Sequence, residues 1–108
     1  MVSAFVAFSP INLRGESLPE QQARKVSVLG IDLVIHKTPD VLTGLPITRR
    51  TMCWSVSDPV SRCRVVQYLD TMTEAVKAAE LRIIEVGGVE AFYKARDLKV
   101  AQCANAAV

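Results

Sequence analysis

Cysteine is scarce and odd in number: Cys53, Cys63 and Cys103 recur at no regular spacing. Three thiols cannot pair off completely, which argues against a small secreted disulfide scaffold and makes reduced thiols in a cytoplasm the expectation. Histidine is scarcer still, with His36 alone, and no two cysteines have the close spacing of a zinc knuckle. No metal and no cofactor is expected on that basis. An excess of one charge is also missing: 13 basic against 11 acidic residues leave a net charge of +2. A whole-chain field for nucleic acid is thereby excluded, and only a local basic cluster would carry such a role. No apolar run approaches the roughly 20 residues that a membrane-spanning helix needs. Met1 to Phe8 is apolar but lacks the basic flank and small-residue cleavage site of a leader.

What is present is a chain of 108 residues, half of them apolar and 22% charged, which is enough to bury a core within one domain. Residues 1–25 read as an N-terminal extension, 26–98 as the core and 99–108 as a frayed tail. Within the extension, Met1 to Phe8 has strand composition and ends at Ser9-Pro10. Ser17 and Glu20 have capping-box spacing for a short helix over 17–25. From Val26 to Lys37, Leu29, Ile31, Leu33 and Ile35 alternate with Gly30, Asp32, Val34 and His36, which predicts one strand with one face apolar throughout. Two prolines, a glycine and three threonines make 38–48 a loop long enough to be functional.

Arg49–Ser57 and Arg62–Tyr68 read as two strands joined by the turn Asp58-Pro59-Val60-Ser61, with proline suited to its second position. A hairpin centred there pairs Val56 with Cys63 and Trp54 with Val65 on an apolar face. The opposite face pairs Ser57 with Arg62, Ser55 with Arg64 and Cys53 with Val66, and is mostly polar. One-sided amphipathicity of this kind suits an antiparallel sheet covered on one side. A helix over 69–86 supplies the cover: Thr71 and Glu74 form a capping box, and Met72, Val76, Ala79, Ile83 and Val86 form a helical stripe. Gly87-Gly88 ends it, and Val89–Leu98 forms a short second helix anchored by Phe92 and Tyr93. The expected fold is therefore α+β: a three- to four-stranded antiparallel sheet with one face under a C-terminal amphipathic helix.

Catalytic constellations are weak. A Cys–His nucleophile would need His36 beside Cys53 and a third orienting group, and none is evident. Gly87-Gly88 follows a helix, so it caps and does not cradle phosphate. The remaining feature is the polar sheet face, where Arg49, Arg62, Arg64, Ser55, Ser57, Tyr68 and His36 gather. Arginine forks and a tyrosine ring are suited to a partner protein, or to a nucleic-acid strand as the alternative. Exposed edge strands also make a homodimer an expectation.

Trp54-Ser55-Val56-Ser57-Asp58, then Arg64-Val65-Val66, then Asp70-Thr71-Met72-Thr73-Glu74-Ala75-Val76 resemble a pattern of small phage and plasmid proteins. The order is similar to the strand–strand–helix core of HicB-like antitoxins, whose helix starts Thr-x-x-Glu-Ala. No DNA-binding module follows the helix, so antitoxin activity does not carry over. The resemblance implies a small accessory protein that works by binding. The resulting expectation is a non-enzymatic module that binds or inhibits a larger cytoplasmic partner, in the manner of mobile-element inhibitors of host defence such as anti-CRISPR proteins.

Overall fold

The computed structural model describes residues 5–12 and 14–106. Five strands, β1 (Phe5–Phe8), β2 (Gln21–Val28), β3 (Ile31–Lys37), β4 (Trp54–Ser57) and β5 (Arg64–Leu69), precede two helices, α1 (Met72–Glu85) and α2 (Val89–Ala106). Every strand pairs antiparallel with its sequence neighbour, so the sheet order is β1-β2-β3-β4-β5. The α+β antiparallel architecture is as expected from the sequence, but the sheet has five strands where three or four were expected.

The fifth strand arises twice over. Residues 21–28 pair with β1 and β3 as a strand, so the short helix expected over 17–25 does not form. The single strand expected over 26–37 is instead a hairpin bent at Leu29-Gly30, both with positive φ (53° and 81°). Two consecutive left-handed residues match the right-handed twist of the flanking strands, which is why such turns join hairpins. The turn preserves the apolar phase: Val26, Val28, Ile31, Leu33 and Ile35 all join one cluster with Val56, Ala75, Ala79 and Ile83. Trp54 packs on that cluster from its rim, with the Lys37 ammonium 4.3 Å above its ring.

The β4–β5 register departs from the regular hairpin. Trp54 lies opposite Leu69, Val56 opposite Val66 and Ser57 opposite Arg64, with irregularities between these pairs. Each irregularity adds a residue to β5, as β-bulges do, and one leaves Tyr68 at φ 66°. The connection is also longer than the expected four-residue turn, spanning 58–63 with Arg62 at φ 64°. Val66 consequently joins the helix-side cluster and not the polar face. Cys53 is buried, whereas Cys63, expected on the core face, is half-buried.

Helix α1 starts as its sequence requires: the Thr71 hydroxyl accepts from the Glu74 N–H at 3.1 Å. It buries Ala75, Ala79 and Ile83, whereas Val86, expected to extend the stripe, is exposed just past the helix end. Helix α2 runs on to Ala106, beyond the expected end at Leu98 and through most of the segment expected to fray. Residues 1–4 of the expected first strand, and 107–108 of the tail, lie outside the described residues.

One ion pair ties α2 to the sheet. The Arg96 guanidinium donates to both Asp58 carboxylate oxygens, at 2.9 and 3.0 Å, and its side chain and that of Asp58 are 16% and 3% exposed. The same carboxylate accepts from the Val60 N–H, the Ser61 N–H and the Ser61 hydroxyl, so the 58–63 turn and α2 share one anchor. A buried charge that loses its partner is costly. The variant Arg96→Met is expected to destabilise the protein by about 3 kcal/mol, read from urea midpoints. At the β2–β3 turn, asparagine tolerates the left-handed conformation better than leucine. Leu29→Asn is expected to stabilise by about 1 kcal/mol in the same assay.

Candidate functional site

The polar face expected to meet solvent exists but is largely buried. His36 on β3 pairs with Ser55 on β4, Ser57 lies two residues along β4 on the same face, and the three are 1%, 0% and 1% exposed. The Ser57 hydroxyl lies 2.6 Å from His36 Nε2, and His36 Nδ1 lies 2.8 Å from the Lys37 carbonyl. A carbonyl only accepts, so Nδ1 carries the ring proton and Ser57 donates to Nε2. Thr38 and Ser55 share a second hydroxyl–hydroxyl bond of 2.6 Å. Burial is the main cause that lowers the His36 pKa to about 4; the Lys37 carbonyl opposes it and the Arg64 charge adds to it.

The cover comes from the N-terminal part of the chain. The Phe8 ring packs on His36 with centroids 4.9 Å apart, and Phe8, Ala23 and Val34 form a second apolar cluster. Beyond Phe8, the two arginines expected to engage a partner bond the chain itself. Arg62 donates to the Ser9 carbonyl (2.9 Å) and the Ser17 hydroxyl (2.8 Å). Arg64 donates to the Ile11 carbonyl (2.6 Å) and to Gln67 (3.0 Å). His36 and Ser55 are thus buried, and Arg62 and Arg64 are committed within the molecule. None of these four presents a free contact.

Arg49 and Tyr68 do stand at the surface, 5.9 Å apart from guanidinium carbon to ring centroid. Arg49 belongs to the loop 38–53 between β3 and β4, and Tyr68 on β5 borders it. This loop carries Val41 and Leu42, 86% and 93% exposed, with Leu45 and Met52 each 52% exposed. A cavity of about 410 Å³ lies among Val41, Leu42, Ile47, Arg49, Met52 and Tyr68.

The loop is well bonded. Thr38 N–H donates to the Cys53 carbonyl and Ile47 N–H to the Thr38 carbonyl, at 2.7 and 2.9 Å. Pro39 and Pro46 face each other in a β-bridge. At the tip, Asp40 Oδ1 accepts from the N–H groups of Leu42 (2.8 Å) and Thr43 (3.2 Å), an Asx-type turn. These two bonds lead the causes that hold the Asp40 carboxyl below its ordinary pKa, desolvation opposing them and the Arg49 charge adding to them. Gly44 (φ 72°) lets the chain turn back, and a Cβ there would lie 3.1 Å from Leu18, so the loop also packs closely on the N-terminal segment. Met52, itself at φ 51°, is fixed by its N–H donating to Asp70 at 2.9 Å.

Sequence reading marks 38–48 as a loop but not its apolar tip. The available signal was the pair Val41-Leu42 set between a turn-forming Asp40 and Thr43-Gly44. Among the described residues no group of three or more His, Cys, Asp or Glu side chains is placed to hold a metal ion, and no helix is long and apolar enough to cross a membrane. Compared with protein-family models, curated proteins and solved structures, the chain shows no match.

The buried histidine has a pH consequence. In the unfolded chain His36 takes up a proton near pH 6.5, whereas in the fold it resists protonation down to about pH 4. Stability is therefore undiminished by this group above about pH 6.5 and falls as pH drops toward 4, by about 3 kcal/mol in all. Comparing urea midpoints of the wild type and His36→Asn at pH 7.5 and 4.5 isolates the effect: the variant is expected to lose distinctly less on acidification.

Proposed function

We propose that this protein acts by binding another protein, with the loop 38–53 as its principal contact and without chemistry of its own. The observation that carries this reading is the near-complete exposure of Val41 and Leu42 on a loop whose backbone is fixed by Asp40, Thr38 and the Pro39–Pro46 bridge. Isolated exposed apolar residues are ordinary. A group of them on a bonded loop, edged by Arg49, Arg50 and Tyr68, has the composition of an interface anchor with a polar rim. Order in the free protein also reduces the conformational entropy lost on association.

The wider reading is that of a small accessory protein of a mobile element that occludes a larger cytoplasmic partner. It rests on the resemblance to HicB-like strand–strand–helix cores. A bonded loop with an exposed apolar tip suits obstruction of a cleft in that partner. The buried Ser57–His36 pair supports no catalytic alternative as it stands, because a substrate has no approach to a hydroxyl that is 1% exposed.

The test uses two variants in affinity capture from the native host. Leu42→Asp places a charge at the tip, and Leu98→Asp does the same on the exposed side of α2, where Leu98 is 62% exposed. A partner that is retained by Leu98→Asp and lost, by at least tenfold in affinity, with Leu42→Asp bears out the reading. Equal capture by the wild type and Leu42→Asp refutes it. If what is captured is nucleic acid, released steeply by salt, the alternative role replaces it.

A further inference from the structure

A second concavity lies on the opposite side of the sheet, where β5 meets α1 and α2. It has a volume of about 360 Å³, and its lining includes apolar Val65, Ile83 and Phe92 together with four cations, Arg64, Arg82, Arg96 and Lys99, against the single carboxylate of Asp58. That volume is at the small end of ligand cavities and too small to seat a partner's helix.

The charges are not equivalent. Asp58 and Arg96 neutralise each other, and Arg64 is engaged by the Ile11 carbonyl and Gln67. Arg82 is 51% exposed and held only by an exposed ion pair of 3.3 Å to Glu85, an interaction worth little in water. Among the described residues Lys99 has no ion-pair partner. Two cations are therefore available beside an apolar floor, and the one carboxylate that lines the groove, Asp58, is already matched by Arg96.

We propose that this groove binds a small amphipathic anion, an alkyl or aryl carboxylate whose hydrocarbon part lies on Val65, Ile83 and Phe92 while its head group meets Arg82 and Lys99. Burial of the chain supplies the attraction, and the two cations select an anion over a neutral molecule of equal length.

Cys63, half-buried in the groove wall, provides a local reporter. In a Cys103→Ser background the other thiol, Cys53, is only 1% exposed, so iodoacetamide modifies Cys63 selectively. Saturating octanoate is expected to slow alkylation of Cys63 at least fivefold, with octanol at the same concentration at least tenfold less effective as a protectant. The double variant Arg82→Glu, Lys99→Glu is expected to remove the protection while leaving the circular dichroism unchanged. Filling the groove by Ala95→Trp, at an exposed α2 position in its wall, is expected to remove it as well. Equal protection by octanoate and octanol, protection by neither, or octanoate protection persisting in the charge-reversed variant would overturn the proposal. Should that variant fail to fold, persistence of protection in Ala95→Trp overturns it and loss there upholds it.

Discussion

A single carboxylate holds together parts of the chain that no strand pairing joins. Asp58 receives the Arg96 guanidinium on both oxygens and three further donors from Val60 and Ser61. The 58–63 connection built on it holds Arg62 in a left-handed conformation and leads into Arg64. Those two arginines then bind the carbonyls of Ser9 and Ile11. The C-terminal helix, the last hairpin and the N-terminal cover thus form one chain of charge-assisted bonds, which are stronger than neutral ones and directional enough to fix position. A buried charge with every oxygen engaged is tolerable; the same charge half-satisfied is not.

The covered face and the bare loop are two consequences of that arrangement. Ser9 and Ile11 give their carbonyls to the arginines, Phe8 packs on His36 and Ala23, and Leu18 lies against Gly44. A face rich in hydroxyls, arginines and an imidazole becomes interior, where each polar group finds a partner within the protein; among the described residues no buried side-chain nitrogen or oxygen is left unpaired. Among the described residues the most exposed large apolar side chains stand at the tip of 38–53, where Asp40 satisfies the backbone and leaves Val41 and Leu42 turned to water. Polar residues gathered on one face of a sheet therefore do not by themselves mark a contact surface, since solvent access depends on the rest of the chain.

Much of this architecture was legible, and the exceptions have physical causes. The division of β4 is as read: Trp54 and Val56 face the helices, and Ser55 and Ser57 lie on the side of His36. The start of α1 was written in Thr71 and Glu74. The β2–β3 hairpin was hidden because leucine, not asparagine or glycine, occupies its first left-handed position, so the apolar alternation runs through the turn uninterrupted. The bulges in β5 carry no glycine to announce them. The cover over His36 was illegible for a different reason: Arg62 and Arg64 reach main-chain carbonyls 53 positions away, and any residue has a carbonyl. Burial of the proposed contact residues was lost with it.

The sheet follows the order of the chain from edge to edge, with no crossover. Each new strand can therefore dock on the one made just before it, and the loops closed at the β2–β3 and β4–β5 steps are short, those at β1–β2 and β3–β4 longer. Little entropy is lost before each pairing is rewarded, which favours rapid assembly. As the chain is synthesised from its first residue, the meander can zip up progressively, whereas Arg96 reaches Asp58 only after α2 has been made. The ionic latch on the C-terminal helix is thus the closing step of a sequential build, fastened onto a sheet already in place.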